Sequence, residues 1–117
     1  MDMRTNAKER LRLVMVGNGM AGVRTLEELL KIAPDLYDIT VFGAEPHPNY
    51  NRILLSPVLA GEQTLDEIVL NDWSWYQDHG ITLHAGWKVT QVDRVRRIVH
   101  AENAAGETRS AEYDRLL

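Results

Sequence analysis

Three glycines lie within six residues, at Gly17, Gly19 and Gly22, and this spacing constrains the fold more than any other feature of the sequence. The six residues before the first glycine, residues 11–16, are mostly apolar, which is typical of a buried parallel strand. After the glycines, apolar residues recur at helical spacing until Pro34 ends the pattern. The sequence therefore predicts a strand, a tight turn and a helix in immediate succession. We call residues 17–22 the glycine turn.

A second strand is predicted at residues 38–42, where β-branched and aromatic side chains are concentrated. Strand, turn, helix and strand together make a βαβ unit of about 30 residues. Such units pair their strands in parallel, with a right-handed crossover. Pro46, Pro48 and Pro57 then exclude a central strand or a helix interior from residues 43–57.

The rest of the chain contains short predicted elements separated by turn residues. Helical turns are expected within residues 58–70, and Asn71 and Asp72 can cap a helix over residues 73–77. Short strands are predicted at residues 81–84, 88–92, 97–101 and 108–117. Residues 103–106 are typical of a hairpin loop, so the last three strands are expected to form an antiparallel meander. The predicted fold class is α/β, a Rossmann-like parallel βαβ sheet with an added antiparallel β meander.

Composition restricts the classes of function. A chain of 117 residues is about one domain, and its formal charge of −4 argues against a nucleic-acid partner. There is no cysteine, which excludes thiolate metal sites, iron–sulfur ligation and cysteine nucleophiles within this chain. The four histidines are dispersed, so no metal site is predicted. Residues 1–10 form a polar leader without the apolar core of a signal peptide, no run is long enough to span a membrane, and a cytoplasmic location is expected.

The glycine turn has the chemistry of a dinucleotide site. Gly17 permits a tight turn, Gly19 lets the backbone approach a pyrophosphate, and Gly22 lets the helix pack closely on the sheet. The helix N-terminus offers amide groups and the positive end of a dipole to the phosphates. An acidic residue is expected after the second strand for the ribose hydroxyls, and Glu45 stands there. The turn alone leaves FAD and NAD open as ligands.

The segment from Glu45 to Ser56, EPHPNYNRILLS, resembles a segment of FAD-dependent pyridine-nucleotide reductases, a family of flavoproteins. The resemblance covers residues 12–117. It is closest in residues 16–22, 37–42 and 50–56, which are similar to the N-terminal part of the large subunits of NAD(P)H-dependent assimilatory nitrite reductases. The resemblance favours FAD over NAD as the cofactor.

What the resemblance implies can be assigned to positions of this chain. The three glycines shape the turn, while Met20 and Ala21 present backbone amides to the pyrophosphate. Glu45 binds the adenosine ribose, Arg52 reaches a phosphate or nearby polar groups, and the backbone of Val89 meets the adenine. No catalytic residue is implied within this chain. Many relatives carry a lysine near the flavin ring where this chain has Pro57, so that role is not expected here.

The resemblance also implies a larger protein around this chain. Residues 11–117 are expected to be the N-terminal portion of an FAD-binding domain, truncated at its C-terminus and inactive alone. The whole enzyme is expected to pass electrons from NAD(P)H through FAD to nitrite, yielding ammonia, with iron–sulfur and sirohaem parts outside this chain and a small subunit as a further partner. The alternatives are an FAD-dependent rubredoxin or ferredoxin reductase, a non-catalytic NAD-binding module, and a non-enzymatic interaction domain.

Overall fold

The computed structural model describes residues 10–51 and 55–117. The predicted βαβ unit is present: β1 (Leu11–Val16), α1 (Met20–Ile32) and β2 (Tyr37–Gly43) follow one another without interruption. β1 and β2 pair in parallel from Leu11 opposite Tyr37 to Val16 opposite Phe42. β1 has the predicted bounds and β2 extends one residue beyond its predicted range at each end, because element ends depend on local hydrogen bonding.

The remaining strands complete two sheets. Their bounds are β3 (Thr82–Ala85), β4 (Trp87–Asp93), β5 (Ile98–Asn103), β6 (Thr108–Glu112) and β7 (Arg115–Leu116). A parallel sheet has the order β3-β2-β1-β7, and a three-stranded antiparallel sheet has the order β4-β5-β6. The predicted fold class, a parallel βαβ sheet with an antiparallel meander, is confirmed.

Both faces of the parallel sheet are buried, because successive side chains of a strand point to opposite faces. On one face lies a core formed by the sheet, α1 and the helix α3 (Trp73–Asp78), which contains Leu13, Met15, Val23, Leu26, Ile39, Val41, Tyr76 and Ile81. On the other face the meander covers a second core of Val14, Phe42, Val99, Ala101 and Tyr113. The meander therefore covers one face of the parallel sheet and shares a core with it, and it is not an independent unit.

The prediction of one strand over residues 108–117 is wrong. The chain leaves the meander after Glu112, and β7 joins the parallel sheet beside β1. Between the two strands, the Tyr113 amide donates to the Arg97 carbonyl at 2.9 Å and the Asp114 amide donates to the Arg12 carbonyl at 2.8 Å. Two successive amides thus bond to different sheets, and this switch divides the predicted strand.

Short helices occupy the segment between β2 and β3. They are α2 (Leu55–Leu59), a 3₁₀ turn (Leu65–Ile68) and α3. Pro57 is the third residue of α2, in the first turn, where its missing N–H leaves no helical hydrogen bond unmade. The helical turns expected within residues 58–70 are present, although α2 begins before that range. Within the described ranges, no helix is both long and apolar enough to cross a membrane.

Candidate functional site

A cleft of about 300 Å³ opens at the carboxyl ends of β1 and β2. Its lining residues are Gly17, Asn18, Gly19, Gly43, Ala44, Glu45, His47, Pro48 and Tyr50. In open parallel sheets, ligands bind outside the carboxyl ends of the strands. The fold therefore brings the glycine turn and Glu45, which are far apart in sequence, to the position where such a ligand is expected. We call this space the cleft.

Gly17 makes the tight turn out of β1. Its φ angle is +101°, in the left-handed region where a side chain is strained. Its amide donates to the carbonyl of Phe42 at 2.7 Å, which continues the pairing of the two strands past the end of β1. This bond holds the first residue of the turn at the mouth of the cleft.

Gly19 leaves open space in the cleft. A Cβ atom placed on it meets no atom within 4 Å, and its φ of −93° is ordinary for any residue. Gly19 is the N-cap of α1, has no side chain to cap the helix, and is followed by a first turn without acidic residues. Met20 and Ala21 are the first two residues of α1. A helix N-terminus of this kind is suited to a phosphate group.

Gly22 serves the packing of α1 on the sheet. A Cβ atom at this position would lie 3.0 Å from the Sδ atom of Met15, a buried side chain of β1. A side chain at residue 22 would therefore require the Met15 side chain to shift, so glycine permits the close packing of helix on sheet.

Glu45 follows β2 and carries its carboxylate into the cleft. The Tyr50 hydroxyl lies 3.0 Å from each carboxylate oxygen and donates to that group. The backbone carbonyl of Glu45 accepts from the Gly86 amide at 2.9 Å. Tyr50 is buried, whereas Glu45 is exposed, so a fixed hydroxyl orients a carboxylate that a ligand can still reach. Sequence reasoning missed this contact, although the phenol five residues after Glu45 was a signal for it.

Asn18 lies between Gly17 and Gly19, and its side chain is held by two hydrogen bonds. Its Oδ1 atom accepts from the Tyr76 hydroxyl at 2.7 Å, and its Nδ2 atom donates to the His47 carbonyl at 3.4 Å. Tyr76 packs in the core, at 2% exposure, and its hydroxyl bonds to a residue that lines the cleft.

Residues 11–117 match the family described as pyridine nucleotide-disulphide oxidoreductases. The chain belongs to this family. It is 50% identical over 109 residues to the assimilatory nitrate reductase electron transfer subunit of Bacillus subtilis (strain 168), covering 93% of this chain and 14% of that protein. It is also 50% identical over 106 residues to the NAD(P)H nitrite reductase of the same strain, covering 91% of this chain and 13% of that protein.

The family assignment agrees with the fold. The structure of the covalent putidaredoxin reductase–putidaredoxin complex superposes with a TM-score of 0.75 at 30% identity. This similarity covers 91% of the present chain and 24% of the reductase chain. The chain therefore spans a small part of the length of the relatives that it matches.

The resemblance also assigns two other residues, Val89 and Arg52, to cofactor binding. Val89 lies in β4, is half-buried and packs against the second core, outside the cleft. Its neighbours Lys88 and Thr90 line a separate cavity of about 640 Å³ next to Ala44. The proposed contact of the Val89 backbone stays a prediction. Arg52 lies outside the described residues.

Other charged groups stand apart from the cleft. Arg24, in α1, is exposed and forms an ion pair of 3.7 Å with Glu28, which agrees with a surface role. A groove of about 790 Å³ lies between α1 and the end of α3, but it is lined by charges of both signs and contains none of the predicted site residues. Among residues 10–51 and 55–117, no group of three or more histidine and carboxylate side chains could hold a metal ion.

The cleft fits the phosphate and ribose part of a dinucleotide. Gly19 leaves a cradle that a side chain would fill, and α1 points its N-terminus at that cradle. The carboxylate of Glu45 lines the same cleft, where paired ribose hydroxyls can donate to it. The cleft therefore offers backbone donors from the start of α1 and a carboxylate acceptor from Glu45.

Proposed function

We propose that this chain forms the half of an FAD site that holds the pyrophosphate and the adenosine ribose, in an oxidoreductase that takes electrons from NAD(P)H. The observation that carries this proposal is the cleft, which both Gly19, at the N-terminus of α1, and Glu45 line. Membership of the pyridine nucleotide-disulphide oxidoreductase family supports an oxidoreductase role. The similarity of residues 45–56 to the flavin-binding relatives favours FAD over NAD.

Each group of the cleft has a distinct task in this proposal. The amides of Met20 and Ala21 donate to the pyrophosphate, and Gly19 allows its close approach. Glu45 accepts from the ribose hydroxyls, with Tyr50 holding the carboxylate in place. Bound FAD supplies the electron-transfer chemistry, and the protein binds and orients it.

Two further assignments are proposed from the family alone. Arg52 contributes a positive charge near the phosphates, for which its planar set of donors is suited. The backbone of Val89 meets the adenine, beside the cavity that its neighbours line. Residues 11–117 then form the first portion of the FAD-binding domain, and further domains complete the flavin site, since the two Bacillus subtilis relatives are much longer.

For the electron acceptor, we favour nitrite, with reduction to ammonia by sirohaem and iron–sulfur parts outside this chain. The 50% identity to the NAD(P)H nitrite reductase of Bacillus subtilis supports this choice. Electron transfer to a nitrate reductase is the second candidate, because the identity to the nitrate reductase electron transfer subunit is also 50%. Assays with NAD(P)H separate the two: ammonia formation from nitrite by the full-length protein supports the first, and nitrite formation from nitrate once a nitrate-reducing catalytic subunit is added supports the second.

FAD binding can be tested by titrating the flavin-free full-length protein with FAD and following flavin fluorescence. Glu45→Ala is expected to weaken FAD binding by about ten- to a hundred-fold, because hydrogen bonds to a charged group are lost. Glu28→Ala, which removes an exposed carboxylate of α1, is the matched control and is expected to leave the affinity unchanged. Tight NAD binding without any response to FAD would contradict the assignment of the cofactor, and unchanged FAD affinity in Glu45→Ala would remove this residue from the site.

A further inference from the structure

We propose that Tyr76 is a positioning residue for the dinucleotide, acting through Asn18 on the glycine turn. This inference rests on the proposed function. Neither the position of Tyr76 in the sequence, far from the turn, nor its place in the core of α3 marks it as part of a binding site. The pair of hydrogen bonds that its hydroxyl makes indicates this role.

The Tyr76 hydroxyl joins two segments that line the cleft. It donates to Asn18 Oδ1 at 2.7 Å and accepts from the backbone amide of Asn49 at 3.2 Å. Asn18 belongs to the glycine turn, and Asn49 directly precedes Tyr50, which holds Glu45. One buried hydroxyl therefore connects the glycine turn, where we propose that the pyrophosphate binds, to the segment that holds Glu45, where we propose that the ribose binds. Burial also raises the pKa of Tyr76, so its hydroxyl stays protonated and able to donate.

Asn18 is closely fitted to its position. Its Cβ atom lies 2.9 Å from where a Cβ on Gly43 would be, so the absence of a side chain at the end of β2 makes room for it. Its amide nitrogen donates to the His47 carbonyl. The turn thus rests on the end of β2, and Tyr76 secures it from the side of α3.

The hydrogen bonds that begin at Tyr76 continue through Asn49 and Asn71 to α1. Asn49 Nδ2 donates to Asn71 Oδ1 at 2.8 Å, and Asn71 Nδ2 donates to Glu27 Oε2 at 3.0 Å. Asn49 and Asn71 are only 3% and 5% exposed. Buried polar networks with good geometry hold the elements that they connect in one arrangement. The chain of bonds fixes α3 relative to α1, and so fixes the hydroxyl that Asn18 meets.

The glycine turn needs such support because glycine restricts the backbone least of all residues. Asn18 is the one residue between Gly17 and Gly19, and so the one side chain through which that part of the turn can be held. Without the bond from Tyr76, the turn samples arrangements in which its amides do not converge on the pyrophosphate. The apparent affinity then falls in proportion to the fraction of molecules that keep the competent arrangement.

The test measures the FAD dissociation constant of the flavin-free full-length protein by flavin fluorescence. Tyr76→Phe and Asn18→Ala are each expected to weaken binding by about three- to tenfold, the equivalent of one hydrogen bond. The double variant is expected to lose less than the sum of the two single losses, because both variants remove the bond between Tyr76 and Asn18. Ile39→Val is the control: it removes a methyl group from the same core, lowers the melting temperature, and should leave FAD affinity within about twofold.

The measured FAD affinities distinguish a failure of the proposed FAD-binding function from a failure of the positioning role of Tyr76. If the natural protein does not bind FAD, the proposed function fails. If it binds FAD and both variants bind as tightly as Ile39→Val, or if the losses in the double variant add, the positioning role of Tyr76 fails. Should Tyr76→Phe not fold, Asn18→Ala takes its place, because it removes the bond to Tyr76, together with the 3.4 Å bond to His47, without altering α3.

Discussion

At the scale of the residue, the three glycines of the turn lack a side chain for three different physical reasons. Gly17 adopts a φ of +101°, which other residues rarely do. Gly22 faces Met15 at a distance that a Cβ atom could not keep comfortably. Gly19 has an ordinary conformation and open space around it, so nothing in the fold requires glycine there. Its requirement comes from the ligand that we propose.

Gly19→Ala should therefore separate binding from folding. We expect the melting temperature of the flavin-free protein to change little, since the conformation of Gly19 suits alanine. The methyl group occupies the space of the pyrophosphate, and FAD affinity is expected to fall by about tenfold or more. Gly17→Ala provides the contrast, with a lower melting temperature from backbone strain. Equal FAD affinity in Gly19→Ala and the natural protein would show that the pyrophosphate does not approach this residue.

The sequence identified the residues whose role depends on their neighbours in the chain. The glycines and Glu45 could be placed because a βαβ unit fixes where the ends of its strands meet. Tyr76 could not be assigned to the cleft, because its bond to Asn18 spans 58 residues and depends on how α3 packs on the sheet. The cofactor contacts of the glycines, Glu45, Val89 and Arg52 all stay predictions.

At the scale of the element, α3 is short and depends on its cap. The helix has six residues, and the Asp72 carboxylate accepts from the Trp75 amide at 3.1 Å and from the Ser74 hydroxyl at 2.7 Å. These hydrogen bonds lower the pKa of Asp72, the Ser74 bond most. Isolated helices of this length are unstable in water, so the cap and the packing of Tyr76 together maintain α3.

Asp72→Ala is expected to lower the melting temperature by roughly 5 °C, because the Trp75 amide and the Ser74 hydroxyl lose the carboxylate that caps the helix. Asp72→Asn keeps a capping oxygen and should lose less. Asp78→Ala, at the exposed end of the same helix, is the control and should melt like the natural protein. Thermal melts followed by circular dichroism measure all three, and equal melting of Asp72→Ala and Asp78→Ala would contradict the role of the cap.

The wrong prediction for residues 108–117 also belongs to this scale. Residues 108–112 and 115–116 are both extended, and neither glycine nor proline separates them. Their division follows from partners elsewhere in the chain, since the Tyr113 amide bonds to Arg97 and the Asp114 amide bonds to Arg12. Local sequence patterns contain no information on such pairings, whereas the compact βαβ unit is specified by contacts within its own residues.

At the scale of the whole molecule, Arg12 and Asp114 fasten the end of the chain to the parallel sheet. The Arg12 backbone amide and Nε atom donate to Asp114 Oδ2 at 2.8 and 3.1 Å, and its Nη1 atom bonds to Glu112 at 2.7 Å. The guanidinium and amide of Arg12 lower the pKa of Asp114 to about 2. The folded state therefore favours the ionised carboxylate at the junction of the two sheets.

This depressed pKa predicts a dependence of stability on acid pH. Asp114 is ionised at lower pH in the folded chain than in the unfolded chain, whose ordinary value is 3.8. Its contribution is then complete above about pH 4 and is lost as the pH falls toward 2. Asp114→Asn should lower the melting temperature at pH 7 and reduce its decline between pH 5 and 2, while Asp38→Asn, on β2, serves as control. A decline as steep in Asp114→Asn as in the natural protein would contradict this assignment.

The position of β7 has a consequence for synthesis of the protein on the ribosome. β1 lies between β2 and β7, and the amide of Val16, just before the glycine turn, donates to the carbonyl of Leu117 at 3.0 Å. A nascent chain can pair β1 with β2 early, but the other edge of β1 stays open until about a hundred further residues have emerged. During that interval the exposed strand edge can pair with another chain. The strand that precedes the glycine turn is thus enclosed on both edges only after about a hundred further residues have been made.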